Sequence, residues 1–142
     1  QNVEVIADLV GNEELNSVTF FESSDDSGMN TLANSGANRG YTSSLKQQIT
    51  LDNFCKSRNL SPQLIKIDTE GAEVSILKGA INILREHRPI LFLSVHPSHI
   101  IELGSTVEEL EQLLSSVDYK VTDIDGDVVR PLELTEYIVS PN

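Results

Sequence analysis

The stretch "SPQLIKIDTEGAEVSILKGA", residues 61–80, decides the fold class. Apolar and polar residues alternate over 64–68, which predicts a short β-strand. Apolar residues then recur at helical spacing, which predicts a helix over 72–84. Three carboxylates occur between or within these elements, at Asp68, Glu70 and Glu73. A strand that leads directly into a helix is typical of α/β proteins.

The segments that follow continue this alternation. Residues 90–95, "ILFLSV", are apolar on both faces, as in a buried parallel strand. A capping box of Thr106 and Glu109 predicts a further helix. Two strands are predicted around the turn Asp125-Gly126, and a last strand at "EYIVS". The order predicts an α/β domain with a largely parallel sheet and an antiparallel hairpin near the carboxyl terminus.

The segments before this stretch are less regular. Residues 3–10 and 17–21 are rich in β-forming residues and are expected to pair as a hairpin within a first part, 1–22. A second part, 23–44, is rich in Ser, Asn, Gly and Asp, which predicts a long polar loop. The α/β core is expected over 45–142. It begins with a strand and a short helix that Thr50 caps and Asn59 ends.

Composition limits the classes of function. With 142 residues, 39% of them hydrophobic, the chain suits a single globular domain. The formal net charge of -12 repels nucleic acid and anionic membrane surfaces, so small molecules or proteins are the expected partners. Cys55 is the single cysteine, which excludes an internal disulfide. No apolar run approaches a membrane span or signal sequence, so the cytoplasm is the expected location.

A candidate site lies at the carboxyl ends of the strands 64–68 and 90–95. One helix joins these strands, so they are expected to be parallel and to bring Asp68 and His96 to the same sheet edge. Ligands bind at that edge in open α/β sheets, and a carboxylate with an imidazole can supply general base catalysis near neutral pH. A structural alternative is that the acids favour the positive end of the following helix.

Two patterns that suggest metal binding have simpler explanations. The segment "DIDGD", 123–127, is similar to a calcium loop, but the position of its glycine favours a hairpin turn. His96, His99 and Glu102 have the spacing of metal ligands, but Pro97 is expected to break the helix that would align them. A divalent metal is therefore not favoured.

The run "LIKIDTEGAEVSILKGA", followed closely by "RPILFLSVHP", resembles the FkbM family of S-adenosylmethionine-dependent methyltransferases. The family pattern is an apolar strand, Ile-Asp-x-Glu-Gly-x-Glu, a helix with Leu-x-Gly-Ala, then Arg-Pro and a strand ending in His-Pro. The whole set occurs in order over 62–97, and weaker similarity covers nearly all the rest. The resemblance implies a Rossmann-like methyltransferase fold. It also implies methyl transfer, usually to a hydroxyl oxygen of a sugar, polyketide or related metabolite.

The same resemblance implies roles for individual residues. Asp68 matches the family's strand-end aspartate, near the meeting point of the sulfonium methyl and the acceptor, and His96 matches its strand-end histidine. Either is a candidate base, with Glu70 as a further catalytic candidate. Ser94 departs from the family, because many relatives carry a glutamate there.

Binding residues are expected from the resemblance and, for Arg39 and Tyr41, from their place in the polar loop. The expected contacts to S-adenosylmethionine are Asp8, Asp68 and Thr69. The expected contacts to the acceptor are Glu73 and, in the polar loop, Arg39 and Tyr41. Substrate choice is expected to reside in that loop.

One part of the family pattern is absent from this sequence. Such enzymes hold the cofactor with a glycine-rich loop after the first strand and an acidic residue after the second, and neither is found here. We therefore expect Gln1 to begin at the family's third strand, with the chain supplying the acceptor and catalytic half of a longer enzyme. Alone it is expected to be inactive. The missing strands are expected to leave an open sheet edge through which two copies could dimerise.

Two other classes of function are also consistent with the sequence. The chain could be a binding or interaction domain that kept the fold without the chemistry. It could also be a transferase assisted by a divalent metal that Asp68, Glu70 or Glu73 holds.

Overall fold

The computed structural model of the protein describes residues 3–23, 30–33, 35–38 and 40–142. The described residues form seven strands: β1 Leu9–Val10, β2 Leu15–Glu22, β3 Thr42–Ile49, β4 Leu64–Ile67, β5 Ile90–Val95, β6 Tyr119–Thr122 and β7 Thr135–Pro141. The same residues form six helices: α1 Ser35–Asn38, α2 Leu51–Arg58, α3 Glu73–Lys78, α4 Ile81–Glu86, α5 Pro97–Glu102 and α6 Val107–Ser116. The predicted α/β class is confirmed.

The strands form two mixed sheets instead of one largely parallel sheet. In the first sheet, with order β1-β3-β2, β1 is parallel to β3 and β2 is antiparallel to it. In the second, with order β4-β5-β7-β6, β4 and β5 are parallel, as predicted from the helical connection. The other pairs of this sheet, β5–β7 and β6–β7, are antiparallel. β1 and β4 are therefore edge strands of separate sheets.

The predicted hairpin between residues 3–10 and 17–21 is wrong. Only Leu9–Val10 of the first segment is a strand, and β3 lies between it and β2. Gln48 of β3 helps to hold this order, because its side-chain amide donates to the Glu13 carbonyl at 3.0 Å. The polar loop is also less extensive than predicted: it contains α1, and Thr31 forms a β-bridge with Phe21.

The single helix predicted over 72–84 is two helices, α3 and α4, separated at Gly79 and Ala80. The Asp52 carboxylate accepts hydrogen bonds from the backbone N–H of Asn82 and Ile83, at 3.1 and 3.0 Å, and so caps α4. Gly79 packs so closely on the carbonyl of Gly11 that a Cβ atom there would collide with it. The chain therefore turns between α3 and α4, where the segments that contain Asp52 and Gly11 contact it.

Three further predictions have different outcomes. Pro97 was expected to break a helix, but it is the first residue of α5, where its missing N–H costs no hydrogen bond. Thr106 accepts from the N–H of Glu109 at 3.1 Å, which confirms the predicted cap. The second arm of the predicted hairpin after Gly126 is a single bridge, Thr122 to Val128, and β6 pairs with β7 instead.

The main core lies on one face of the second sheet. Helices α3, α4 and α6 present apolar side chains to β4, β5, β6 and β7. The fully buried members, with no exposed surface, are Leu77, Leu84, Leu91, Leu93, Val95, Ile100, Leu110, Leu114 and Val139. Burial of each large aliphatic side chain contributes about 1.5–3 kcal/mol, so this face fixes the positions of the strand ends described next.

Candidate functional site

Asp68 and His96 follow the carboxyl ends of two neighbouring parallel strands. β4 ends at Ile67 and β5 ends at Val95, and Ile67 pairs with Leu93 in the ladder. The positive charge that His96 can carry lies near enough to Asp68 to help lower the pKa of its carboxyl. The sheet edge predicted from the sequence therefore brings these two side chains together.

The turn between β4 and α3 depends on Gly71. Its φ of 99° lies in the left-handed region, which favours glycine. A Cβ atom at this position would also collide with the backbone carbonyl of His99 in α5. The absent side chain lets α5 pack against the turn. This packing brings His99 of α5 to Glu70, and His96, which precedes α5, to Glu73.

The carboxylate of Asp68 is partly exposed and paired. The Lys66 ammonium donates to it at 2.9 Å. This hydrogen bond, together with the Lys66 charge, a hydrogen bond from the Ser94 hydroxyl and the nearby His96, holds the pKa of Asp68 below its usual range. Asp68 is therefore a weaker base than an ordinary carboxylate.

Two acid–imidazole pairs lie beside it. Oε1 of Glu73 is 2.9 Å from Nδ1 of His96, and Oε2 of Glu70 is 2.5 Å from Nδ1 of His99. The first is a hydrogen bond. The second is a close contact whose geometry leaves His99 Nδ1 without a hydrogen-bond partner. The two rings stack, with centroids 6.0 Å apart and planes inclined by 17°.

The two pairs differ in burial. The Glu73 side chain has 0% of its surface exposed, and burial raises its pKa. Glu70 keeps 30% of its surface exposed. Glu73 was expected to contact the acceptor directly, but this burial leaves His96, with 18% of its side chain exposed, as the more accessible member of the pair.

A cavity of 690 Å³ lies between the β1 edge of the first sheet and the β4 edge of the second. Asp8, Asp68 and Thr69, the three expected cofactor contacts, all line it, as does Glu70. The Thr69 hydroxyl is buried in its wall without a hydrogen-bond partner. The structure therefore brings the expected cofactor contacts to one cavity.

Of the two acceptor contacts expected in the polar loop, the structure describes only Tyr41. Tyr41 is not part of the described cavity wall, and its N–H donates to the Gly36 carbonyl at 3.0 Å. Arg39 lies outside the described residues. The loop contributes Asn30, Thr31 and Leu32 to the cavity wall instead.

Sequence reasoning missed three partners of the candidate residues. Lys66 pairs with Asp68, Ser94 bonds to the same carboxylate, and His99 contacts Glu70. The first has a sequence signal, because residues two apart on a strand share a face. Ser94 lies one strand away at the matching register, which follows once β4 and β5 are paired.

Neither a metal-binding cluster nor a membrane-spanning helix is found in the part of the chain that the structure describes. Among residues 3–23, 30–33, 35–38 and 40–142, no three side chains of His, Cys, Asp or Glu are grouped so that they could hold a metal ion. In the same part of the chain, no helix combines the length and apolar character needed to cross a membrane.

Comparison with known proteins identifies the family pattern over most of the chain. The model of the methyltransferase FkbM domain matches residues 1–121. The chain is also similar to the crystal structure of methyltransferase FkbM from Methylobacillus flagellatus KT, with 26% sequence identity and a TM-score of 0.44. That match covers 68% of this chain and 23% of the other. No curated protein matches the chain.

Proposed function

Because the chain belongs to the FkbM methyltransferase family, we propose that it takes part in S-adenosylmethionine-dependent methyl transfer to a hydroxyl oxygen of a sugar or a related metabolite. The observation that carries this proposal is the position of Asp68, which lines the cavity at the end of β4 and lies near enough to His96, outside the described cavity wall at the end of β5, to feel its charge. In the proposed reaction, this chain supplies the part of the site that binds the acceptor and carries the catalytic residues.

The cavity suits the cofactor in size and charge. Its volume of 690 Å³ falls within the range of about 300–1,000 Å³ that small-molecule sites occupy. Carboxylates from Asp8, Asp68 and Glu70 line it, and they favour a cationic sulfonium and hydrogen-bond donors such as ribose hydroxyls. When bound, S-adenosylmethionine supplies a methyl group activated by the positive charge on its sulfur. Asp8, Asp68 and Thr69 are the residues proposed to hold it.

His96 is the better candidate for the base. The lowered pKa of Asp68 weakens that carboxylate as a proton acceptor, whereas an imidazole commonly accepts a proton near neutral pH. In the proposed site His96 takes the proton of the acceptor hydroxyl. The negative charges of Asp68 and Glu73 then stabilise the imidazolium, because both lie beside the ring.

Calorimetric titration of S-adenosylmethionine into the full natural chain tests this proposal. We expect binding, and we expect Asp68→Asn to weaken it by at least about tenfold, because the substitution removes one of the negative charges that line the cavity and favour a cation. Asp125→Asn, in the turn after β6, is the matched control and should bind as the wild type does. Absence of binding to the wild-type protein would overturn the proposal.

A further inference from the structure

Glu73 is a fully buried acid that lies beside the imidazole of His96. It is the first residue of α3, and its side chain has no exposed surface. Its Oε1 contacts His96, but its Oε2 is buried without a hydrogen-bond partner. Burial of a carboxylate with an unpaired oxygen costs free energy, and an apolar side chain of similar size would fill the same space at lower cost.

We propose that Glu73 is a positioning residue for His96: its carboxylate accepts a hydrogen bond from the Nδ1–H of the ring. The ring proton therefore stays on Nδ1, and Nε2 is left without a proton and ready to accept one. This assignment rests on the proposed methyl transfer, in which His96 Nε2 takes the proton of the acceptor hydroxyl. Because an imidazole nitrogen accepts a proton only while it carries none, the tautomer decides whether His96 can act as the base.

The surroundings of the ring hold it in one orientation. Glu73 fixes Nδ1 from the side of α3, at 2.9 Å. The ring of His99 stacks on that of His96 at a centroid distance of 6.0 Å, and Glu70 contacts His99 in turn. His96 precedes Pro97, the first residue of α5, so its backbone is fixed at a helix boundary. A ring held at one nitrogen and on one face has little freedom to exchange its two nitrogens.

The second pair provides an internal comparison. Glu70 and His99 have the same chemistry as Glu73 and His96, but both are more exposed, at 30% and 25% of their side chains. Their contact also lacks hydrogen-bond geometry. Because no hydrogen bond of good geometry fixes Nδ1 of His99, a strong tautomer preference is expected at His96 alone.

The test is the tautomer of His96, read by long-range nitrogen–proton NMR correlations of the imidazole rings at about pH 8, where an ordinary imidazole is neutral. In the wild-type protein we expect His96 to carry its proton on Nδ1. In Glu73→Ala we expect that preference to be lost. In Glu70→Gln, the matched control, His96 should keep the proton on Nδ1. A wild-type His96 that carries its proton on Nε2 overturns the proposal, and this measurement needs no variant.

Turnover separates the positioning role from the proposed reaction. In the full natural chain, Glu73→Ala should lower kcat for methyl transfer by at least about tenfold while KM for S-adenosylmethionine stays unchanged. A change in KM alone, with kcat retained, would contradict positioning. If the wild-type protein transfers no methyl group but His96 carries its proton on Nδ1 and loses that preference in Glu73→Ala, the tautomer control stands and the proposed reaction fails.

Discussion

Gly71 lies against the backbone of His99 so closely that a Cβ atom on residue 71 would overlap the His99 carbonyl. Its φ of 99° is also unfavourable for any residue with a side chain. The glycine between the two glutamates of the "TEGAE" segment is therefore required both by the backbone turn and by the approach of α5.

Gly71→Ala should lower the free energy of unfolding by about 2–4 kcal/mol, the sum of backbone strain and overpacking against α5. Gly126→Ala is the matched control, because Gly126 has a similar φ of 93° and nothing within 4 Å of an added Cβ. The control should lose about 1–2 kcal/mol. Urea denaturation measures both free energies of unfolding. Equal losses in the two variants would contradict the expected clash between a Cβ atom on residue 71 and the His99 carbonyl.

Lys66→Met should raise the pKa of Asp68, because the ammonium of Lys66 is the main cause of its lowered value. Carbon NMR titration of the Asp68 carboxyl measures the change. The stability of the protein should change by less than about 1 kcal/mol, since both partners are substantially exposed.

The matched control for this titration is Lys46→Met, which removes the partner of Glu22 in the first sheet. It should leave the titration of Asp68 as it is in the wild type. An Asp68 carboxyl that titrates identically in wild type and Lys66→Met would contradict the assigned electrostatics.

Glu73→Gln should gain stability relative to the wild type as pH rises above the usual carboxyl pKa of 4.5. Burial raises the pKa of Glu73, so the folded protein holds this proton to higher pH than the unfolded chain does. As pH rises from the pKa of Glu73 in the unfolded chain to its higher pKa in the folded protein, the wild type loses free energy of unfolding. Glutamine does not titrate, so the Glu73→Gln protein does not lose this contribution.

Urea denaturation of both proteins at a series of pH values measures this difference directly. Subtraction of wild type from variant cancels the other carboxyls, whose contributions are common to both proteins. A difference in stability that shrinks as pH rises would contradict the assignment of a raised pKa to Glu73.

The charge of the cavity predicts a preference among acceptors. Asp8, Asp68 and Glu70 line the cavity, and Lys66, a cation in the described wall, is already paired with Asp68. A neutral sugar should therefore be methylated at least about tenfold faster than its phosphate ester at low salt. Added salt should reduce this ratio of rates, because it screens the repulsion between the phosphate and the carboxylates. A faster reaction with the phosphate ester would contradict this reading of the cavity.

Local patterns in the sequence were sufficient to predict the two strands that form the centre of the site. The alternation before Asp68 and the apolar run before His96 predicted β4 and β5, and their helical connection predicted that they are parallel. The capping box at Thr106 was equally local. The meeting of Asp68 and His96 followed from these local features, without knowledge of distant contacts.

Other features depend on residues far apart in sequence. The break between α3 and α4 requires Asp52, about thirty residues earlier, to cap α4. The pairing of Glu73 with His96 requires α5 to begin at Pro97, and a proline after a strand is equally consistent with a loop. These contacts follow from tertiary packing, so periodicity and spacing could not predict them.

The decisive test of the proposed reaction is transfer of an isotope-labelled methyl group from S-adenosylmethionine to a panel of hydroxylated acceptors. With the full natural chain we expect the label on an acceptor oxygen, a loss of about 10²–10⁴-fold in kcat for His96→Gln, and wild-type turnover for the control Asp125→Asn. Unchanged turnover in His96→Gln, or no labelled acceptor with the wild-type protein, would contradict the account.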